Sequence, residues 1–265
     1  MTTVDKSSVG SGVSGSILVP LNSWDRVAKL DALGVVLSER RKPHGSWTLD
    51  EFFSTGEAEV SSVLDKCREF GIVLKYGREL DFGCGVGRLT RAFASRFAQC
   101  VGIDVSSEMV SQAQEINREF SNCQFLVNHS VTLPFPDKSF DFVSSLIVLQ
   151  HIQTKRAILS WVSEFVRVLS PGGAVVFQLP DKPSLRRRIQ GRRRLWSLLQ
   201  WMGVSEEFLY ERLGLSPICM NGVQPDRVRN ILEAAGAEVI RVERDERAGA
   251  HFRSYTYFGI KKGLS

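Results

Sequence analysis

The sequence predicts an α/β fold built on a mostly parallel sheet, and three observations carry that prediction. Short, near-continuous apolar runs alternate with amphipathic helical stretches from Glu79 to Ile260, the pattern of strands covered on both faces. A glycine-rich turn, Gly83-Cys84-Gly85-Val86-Gly87, follows the first run and opens a helix. The last two runs are joined so closely, near Ala248-Gly249, that they must pair antiparallel.

Residues 1–16 are mostly Ser, Gly, Thr and Val and read as a flexible tail. Residues 17–76 are mainly helical, an N-terminal cap. Within it Ser54-Thr55-Gly56-Glu57 has the S-x-x-E spacing of a capping box. It precedes Val60, Val63, Leu64, Cys67 and Phe70 at helical spacing, with Gly71 as the stop. Strands are expected at 79–82, 99–103, 124–127, 140–146 and 174–179, and helices at 88–97, 107–120 and 155–169. Ser170-Pro171-Gly172-Gly173 turns the last of these helices into its strand. Residues 181–217 break the rhythm with arginines, two tryptophans and one or two helices, an insertion able to form a lid. A helix at 226–235, stopped by Gly236, and strands at 238–243 and 251–260 close the chain. Residues 17–265 are read as a single domain.

Charge is uneven. Seven basic residues and one acid lie between Asp181 and Trp201, so this segment accounts for the whole net charge of +5. A nucleic-acid binder spreads positive charge along a face, and that class is disfavoured. Five cysteines without a CxxC pair fit reduced thiols in a cytoplasmic protein and give no metal spacing. No apolar run approaches the ~20 residues of a membrane span, and no apolar signal core follows Lys6. Nothing in the sequence sets an oligomeric state.

The glycine turn carries the chemistry. Glycines at the end of a strand let a ligand approach the backbone, and the next helix offers polar N–H groups. A dinucleotide fingerprint needs a third glycine where Arg88 stands. The spacing here is instead G-x-G-x-G, preceded by the acid Asp81. A pyrophosphate sits poorly beside that carboxylate, whereas a cationic sulfonium does not. Asp104 ends the next strand, 21 residues after Gly83, where a carboxylate can accept both hydroxyls of a ribose. Ser106 is available to cap the following helix in its place.

On these residues the chain resembles the class I S-adenosylmethionine-dependent methyltransferases, in particular the small-molecule enzymes of the type 11 and type 12 groups. The resemblance covers Arg78 to Leu179 and rests on five blocks: LDFGCGVGRLT, GIDVS, LPFPDKSFDFV, LQHI and RVLSPGGAVVF. It implies a Rossmann-like, doubly wound, seven-stranded sheet with its last strand antiparallel. It also implies S-adenosyl-L-methionine as cofactor and S-adenosyl-L-homocysteine as product. The expected cofactor residues are Asp81, Gly83, Cys84, Gly85 and Gly87; Asp104, Val105 and Met109; Asn128, His129 and Ser130; and Leu146 and Gln150. In similar proteins an Asp four residues before Leu-Pro-Phe contacts the adenine amino group. His129 stands there, and a neutral histidine accepts through only one ring nitrogen.

The implied reaction is methyl transfer to a small-molecule acceptor, with oxygen favoured. His151, just after the fourth strand, is the candidate general base, and Gln150 a holder of substrate or of the cofactor's methionine end. His251, Tyr255 and Tyr257 on the last strand are weaker candidates, with packing as their usual role, and His44 in an N-terminal loop is read as a surface residue. Trp47, Phe52 and Phe53 form either core or lid. Trp196, Leu198, Leu199, Trp201 and Met202 either roof the acceptor pocket or pack on the sheet edge. The run Arg186–Arg194 is a solvated face, an anchor for a phosphate- or carboxylate-bearing acceptor, or a contact to nucleic acid or an anionic membrane. The competing functions are an RNA or protein methyltransferase using that run, and a non-catalytic cofactor-binding regulator. Ser145-Leu146-Ile147-Val148 stands where enzymes acting on planar amino groups carry an Asn-Pro-Pro-aromatic motif, which disfavours base or glutamine N-methylation.

Overall fold

The computed structural model describes residues 21–37, 46–181, 191–215, 217–249 and 252–263. The predicted tail (1–16), His44, the first arginines of the run and His251 lie outside the described residues. The elements in order are α1 (Leu21–Val36), α2 (Leu49–Glu69), β1 (Arg78–Phe82), α3 (Arg88–Ala94), β2 (Gln99–Asp104), α4 (Ser107–Ile116), β3 (Cys123–Val127) and β4 (Phe140–Ser145). A single 3-10 turn follows at Leu149–His151, then α5 (Lys155–Val168) and β5 (Leu169–Pro180). The inserted segment holds α6 (Gly191–Trp201) and a π-helical turn (Phe208–Arg212). Last come α7 (Pro225–Ala234), β6 (Ala237–Asp245) and β7 (Ser254–Lys261).

One seven-stranded sheet has the order β3-β2-β1-β4-β5-β7-β6. β7 runs antiparallel to both neighbours and the other pairs are parallel; the close joint of the last two strands requires this of β6 with β7. The chain winds outward from β1 through β2 to β3, then returns to β4 on the other side. β1 and β4 therefore flank the point where strand order reverses, and the crevice beyond their carboxyl ends is where such sheets bind ligands.

Alternation along the strands feeds two cores. Leu80, Val101, Ile103, Val143, Val175 and Phe177 pack against α5 and α7. Cys100, Phe142, Ala174, Val176 and Phe258 pack against α2 and α3. The same period of two turns Glu79 and Asp81 toward the α3 side, both buried.

Two local expectations shift. The capping box is Thr48/Glu51, not Ser54/Glu57, and α2 starts at Leu49. Ser54 lies within the helix and its hydroxyl donates to the Glu51 carbonyl. Both quartets satisfy the spacing, but only the earlier start buries Phe52 and Phe53 and so recruits the first two turns to the core. The Ser170–Gly173 turn is absorbed into β5 as an irregularity: Leu169 faces Phe140, and Ala174 already faces Phe142.

Candidate active site

Beyond the carboxyl ends of β1, β2 and β4 lies an open cavity of about 200 Å³. Its wall includes Gly83, Gly85, Asp104, Val105, Met109, Asn128, His129, Ser130, Leu146 and His151, ten of the predicted site residues. Asp81, Cys84, Gly87 and Gln150 are not in the wall; they shape it from behind.

The turn needs its glycines. Gly83 and Gly85 have φ of 79° and 53°, the left-handed region that side chains disfavour. A Cβ on Gly83 would overlap the side chain of Val148 from the loop after β4, so the two sides of the crevice meet there. Asn117 fixes the turn from behind, its amide donating to the carbonyls of Val86 (3.0 Å) and Ala113 (2.8 Å).

The two acids divide. Strand alternation turns Asp81 away from the cavity. Its carboxylate accepts from the Thr90 hydroxyl at 2.7 Å, which ties β1 to the first turn of α3. Burial raises its pKa to about 6 despite that bond. Asp104, at the tip of β2, faces the cavity. One of its oxygens accepts from the Gly85 N–H and the other from the Ser106 N–H, each at 2.9 Å. Burial pushes its carboxyl up, and these backbone donors pull it back. Each oxygen keeps a lone pair for a ligand hydroxyl. Ser106 does cap α4, accepting from the Met109 N–H at 3.1 Å.

The loop after β3 is satisfied internally. The Asn128 amide donates to the Thr132 carbonyl (3.1 Å) and its carbonyl accepts from the Ser130 N–H (3.0 Å). The exposed His129 ring has no such bond, and Val131 stands beside it in the wall.

Several cavity residues were not among the predicted site residues, and four of them matter most. Trp24, Val35 and Val36 come from α1. Asp25 anchors this helix at the start of α4, accepting from the Ser106 hydroxyl and from the Glu108 N–H (3.1 Å). The predicted N-terminal cap thus reaches the cavity through α1, whereas Trp47, Phe52 and Phe53 are not in the wall and pack behind Val35, Val36 and Met109. Arg88, weighed only as a missing glycine, lines the cavity with its Nε unpartnered, and burial lowers its pKa.

The loop after β4 is held by a buried amide. Ile147 adopts φ 63°, a costly conformation for a β-branched residue. Its N–H donates to the Gln178 side-chain carbonyl at 3.1 Å. The Gln178 amide donates in turn to Gln150 Oε1 (3.2 Å) and to the Ser254 hydroxyl. Gln150 Nε2 lies 3.3 Å from His151 Nε2, and His151 Nδ1 lies 2.9 Å from the Cys219 carbonyl. A carbonyl only accepts, so Nδ1 carries the proton and Nε2 is the basic nitrogen. Burial holds the ring's pKa below the ordinary 6.5, and the Trp24 ring packs against it in a T-shaped contact with centroids 5.3 Å apart. The lone amide in the apolar run of β5 was a signal available in the sequence.

Tyr255 and Tyr257 are not in the wall; Tyr257 stacks on Phe177 inside the core. Trp196 and Leu199 pack against α1 rather than roofing the cavity or lying on the sheet edge. All five thiols are free, and burial raises each of their pKa values. Among the described residues no cluster could hold a metal.

The wall fits an adenosyl sulfonium. Asp104 matches a ribose diol, the glycine turn admits close backbone approach, and Val105, Met109 and Leu146 supply apolar surface. The family described as "Methyltransferase domain" matches residues 80–177, the segment that builds this wall. The chain carries a class I methyltransferase domain. Over this domain it is 31% identical to tocopherol O-methyltransferase of Arabidopsis thaliana across 129 residues, 45% of this chain and 36% of that one. It is 34% identical to ajmaline N-methyltransferase of Rauvolfia serpentina across 101 residues, 37% and 34% of the two chains. The matched region spans about a third to a half of such relatives. In fold the domain is similar to magnesium protoporphyrin IX methyltransferase of Synechocystis, solved with bound S-adenosylhomocysteine. That likeness has a TM-score of 0.55 at 20% identity and covers 92% of this chain and 94% of the other.

Proposed function

We propose that the protein transfers the methyl group of S-adenosylmethionine to a small-molecule acceptor, and that the acceptor atom is oxygen. The observation that carries the cofactor assignment is Asp104, a partly buried carboxylate that two backbone N–H groups hold at the cavity wall. In this reading Asp104 accepts from the ribose hydroxyls, with Gly83 and Gly85 close to the nucleoside and Val105, Met109 and Leu146 against its apolar parts. His129 and the loop carbonyls near it serve the adenine end. Arg88, with its unpartnered Nε, suits the carboxylate of the methionine portion. Asp81, Cys84, Gly87 and Gln150 act by holding these groups in place.

The cofactor when bound supplies an electrophilic methyl on sulfur. The chain supplies alignment, a cavity lined by Trp24 and Val36, and a base. His151 is neutral, its basic Nε2 within reach of one weak amide donor, and it takes the proton of an acceptor hydroxyl. Oxygen is favoured because a hydroxyl needs that base, whereas a free amine does not. An amine acceptor is the second reading, favoured by the relatives that methylate nitrogen.

Calorimetry with S-adenosylhomocysteine tests the cofactor assignment. A Kd on the order of 1 μM is expected, about 8 kcal/mol; no measurable binding would remove the proposal. Transfer of labelled methyl to a panel of phenols and amines tests the acceptor atom, with label on the phenols only as the expected result.

A further inference from the structure

The 3-10 turn that carries His151 closes on two backbone bonds of its own. The His151 N–H donates to the Val148 carbonyl at 2.9 Å and the Ile152 N–H to the Leu149 carbonyl at 3.2 Å. The chain then turns extended at Ile152. A helical turn leaves its last carbonyls without internal partners, so those of Gln150, His151, Ile152 and Gln153 take donors from elsewhere.

Two residues on the stretch that leads from the inserted segment to α7 serve all four. The Asn221 N–H donates to the Gln150 carbonyl at 2.7 Å. The Asn221 side-chain amide donates to the carbonyls of Ile152 (2.7 Å) and Gln153 (2.9 Å). The Cys219 thiol donates to the His151 carbonyl at 2.9 Å. One bond runs the other way: the Cys219 carbonyl accepts from His151 Nδ1 at 2.9 Å. The far side of the stretch is pinned to the end of β5. The Val223 N–H donates to the Pro180 carbonyl at 3.0 Å, and a Cβ on Gly222 would overlap the carbonyls of Pro180 and Asp181. Cys219 and Asn221 are thus wedged between β5 and the turn.

We infer that Asn221 is a positioning residue for His151: it holds the Cys219 carbonyl on Nδ1 and so makes Nε2 the basic nitrogen. A neutral imidazole has one N–H and can carry it on either ring nitrogen. Against the Cys219 carbonyl only the form protonated on Nδ1 makes a bond; the other sets two acceptors face to face in a buried place. Asn221 makes three of the five bonds that align turn and stretch. Cys219 brings the carbonyl, but its own grip on the turn is a thiol, a weak donor. The side chain at 221 must donate twice, which an amide can do and a carboxylate of the same shape cannot. The consequence for turnover rests on the proposed reaction, in which His151 takes the acceptor's proton through Nε2. The tautomer itself does not rest on it.

Heteronuclear NMR of the imidazole nitrogens in the full chain reads the tautomer and needs no acceptor. The chain has four histidines, and the His151 ring is assigned by its loss in His151→Ala. Above the ring's pKa the parent should carry the His151 proton on Nδ1. Asn221→Ala should give a mixture of both forms, with S-adenosylhomocysteine affinity unchanged. In the labelled-methyl assay kcat should fall about tenfold or more while the acceptor KM stays as in the parent. Asn221→Ser, which keeps one donor, should show a smaller shift of the same kind, and it decides the matter if the alanine variant does not fold. A parent ring protonated on Nε2 would overturn the inference. So would a folded Asn221 variant that keeps the proton wholly on Nδ1, whatever its kcat. A changed tautomer at unchanged kcat would uphold the positioning and remove His151 as the base of the reaction.

Discussion

The two sides of the crevice are built by different means. On the side of β1, β2 and β3 the wall is backbone: a glycine turn, two strand tips and the N-terminus of α4, with Asp104 as its one carboxylate. On the side of β4 and β5 the wall is a relay of side chains, from Gln178 through Gln150 to His151, with Ile147 kept in a left-handed conformation. The first side repeats with the fold, because its geometry follows from where strands end and helices begin. The second depends on pairs such as Gln178 and Gln150, 28 residues apart, and under the proposed function it is the side where an acceptor site can vary without disturbing the cofactor. Damage to the first side should therefore appear in cofactor affinity, and damage to the second in turnover.

The largest effect is expected where the sides touch. Gly83→Ala combines a left-handed φ with overlap of Val148. It should weaken S-adenosylhomocysteine binding by about 3 kcal/mol, roughly 100-fold, in calorimetry on protein with an unchanged circular dichroism spectrum. Gly83→Ala with Val148→Ala should recover only part of this, since the second change relieves the overlap and not the φ. Full recovery would mean the backbone conformation is not demanding.

Next comes the base. His151→Ala should lower kcat ~10²-fold with cofactor affinity intact. In the parent the acidic limb of the kcat/KM profile should lie below pH 6.5, because burial depresses the folded ring's pKa and the neutral form is the active one. Gln178→Leu, which unties Ile147 and Gln150, should lower kcat and shift that limb, whereas Gln178→Glu should raise it by placing a carboxylate beside the relay. If both Gln178 variants keep the parent's limb, the amide relay does not govern the histidine.

The sequence revealed the first side far better than the second. Gly83, Gly85, Asp104, Val105 and Met109 were legible because strand ends and helix starts leave local marks, such as the glycine spacing and Ser106 as cap. The parallel strands followed from the rhythm of apolar runs, and the antiparallel pairing of β6 with β7 from the closeness of the last two; the order of the strands in the sheet was not read. Trp24 was not legible: its place depends on Asp25 reaching Ser106, 81 residues away, and no local pattern encodes that pairing. The φ of Ile147 left no mark either. Nor did the choice between two capping boxes, which only burial of Phe52 and Phe53 settles.

The smallest effects separate two acids that the motif alone treats alike. Asp104→Ala should weaken S-adenosylhomocysteine binding by ~1–3 kcal/mol, since it removes an acceptor at the wall. Asp81→Asn should change that binding by no more than about 0.5 kcal/mol, because Asp81 bonds Thr90 and stands behind the turn. Its signature lies in stability. The folded carboxyl titrates near 6, above the ordinary 3.8. Its contribution to stability is therefore fully present below pH 3.8 and is lost as pH rises toward 6. Asp81→Asn should flatten the dependence of unfolding free energy on pH across that window and leave the Asp104 contact untouched. If instead Asp81→Asn weakened the cofactor as strongly as Asp104→Ala, the carboxylate behind the turn would be acting on the ligand through it, and the division between wall and support would fail at its most buried point.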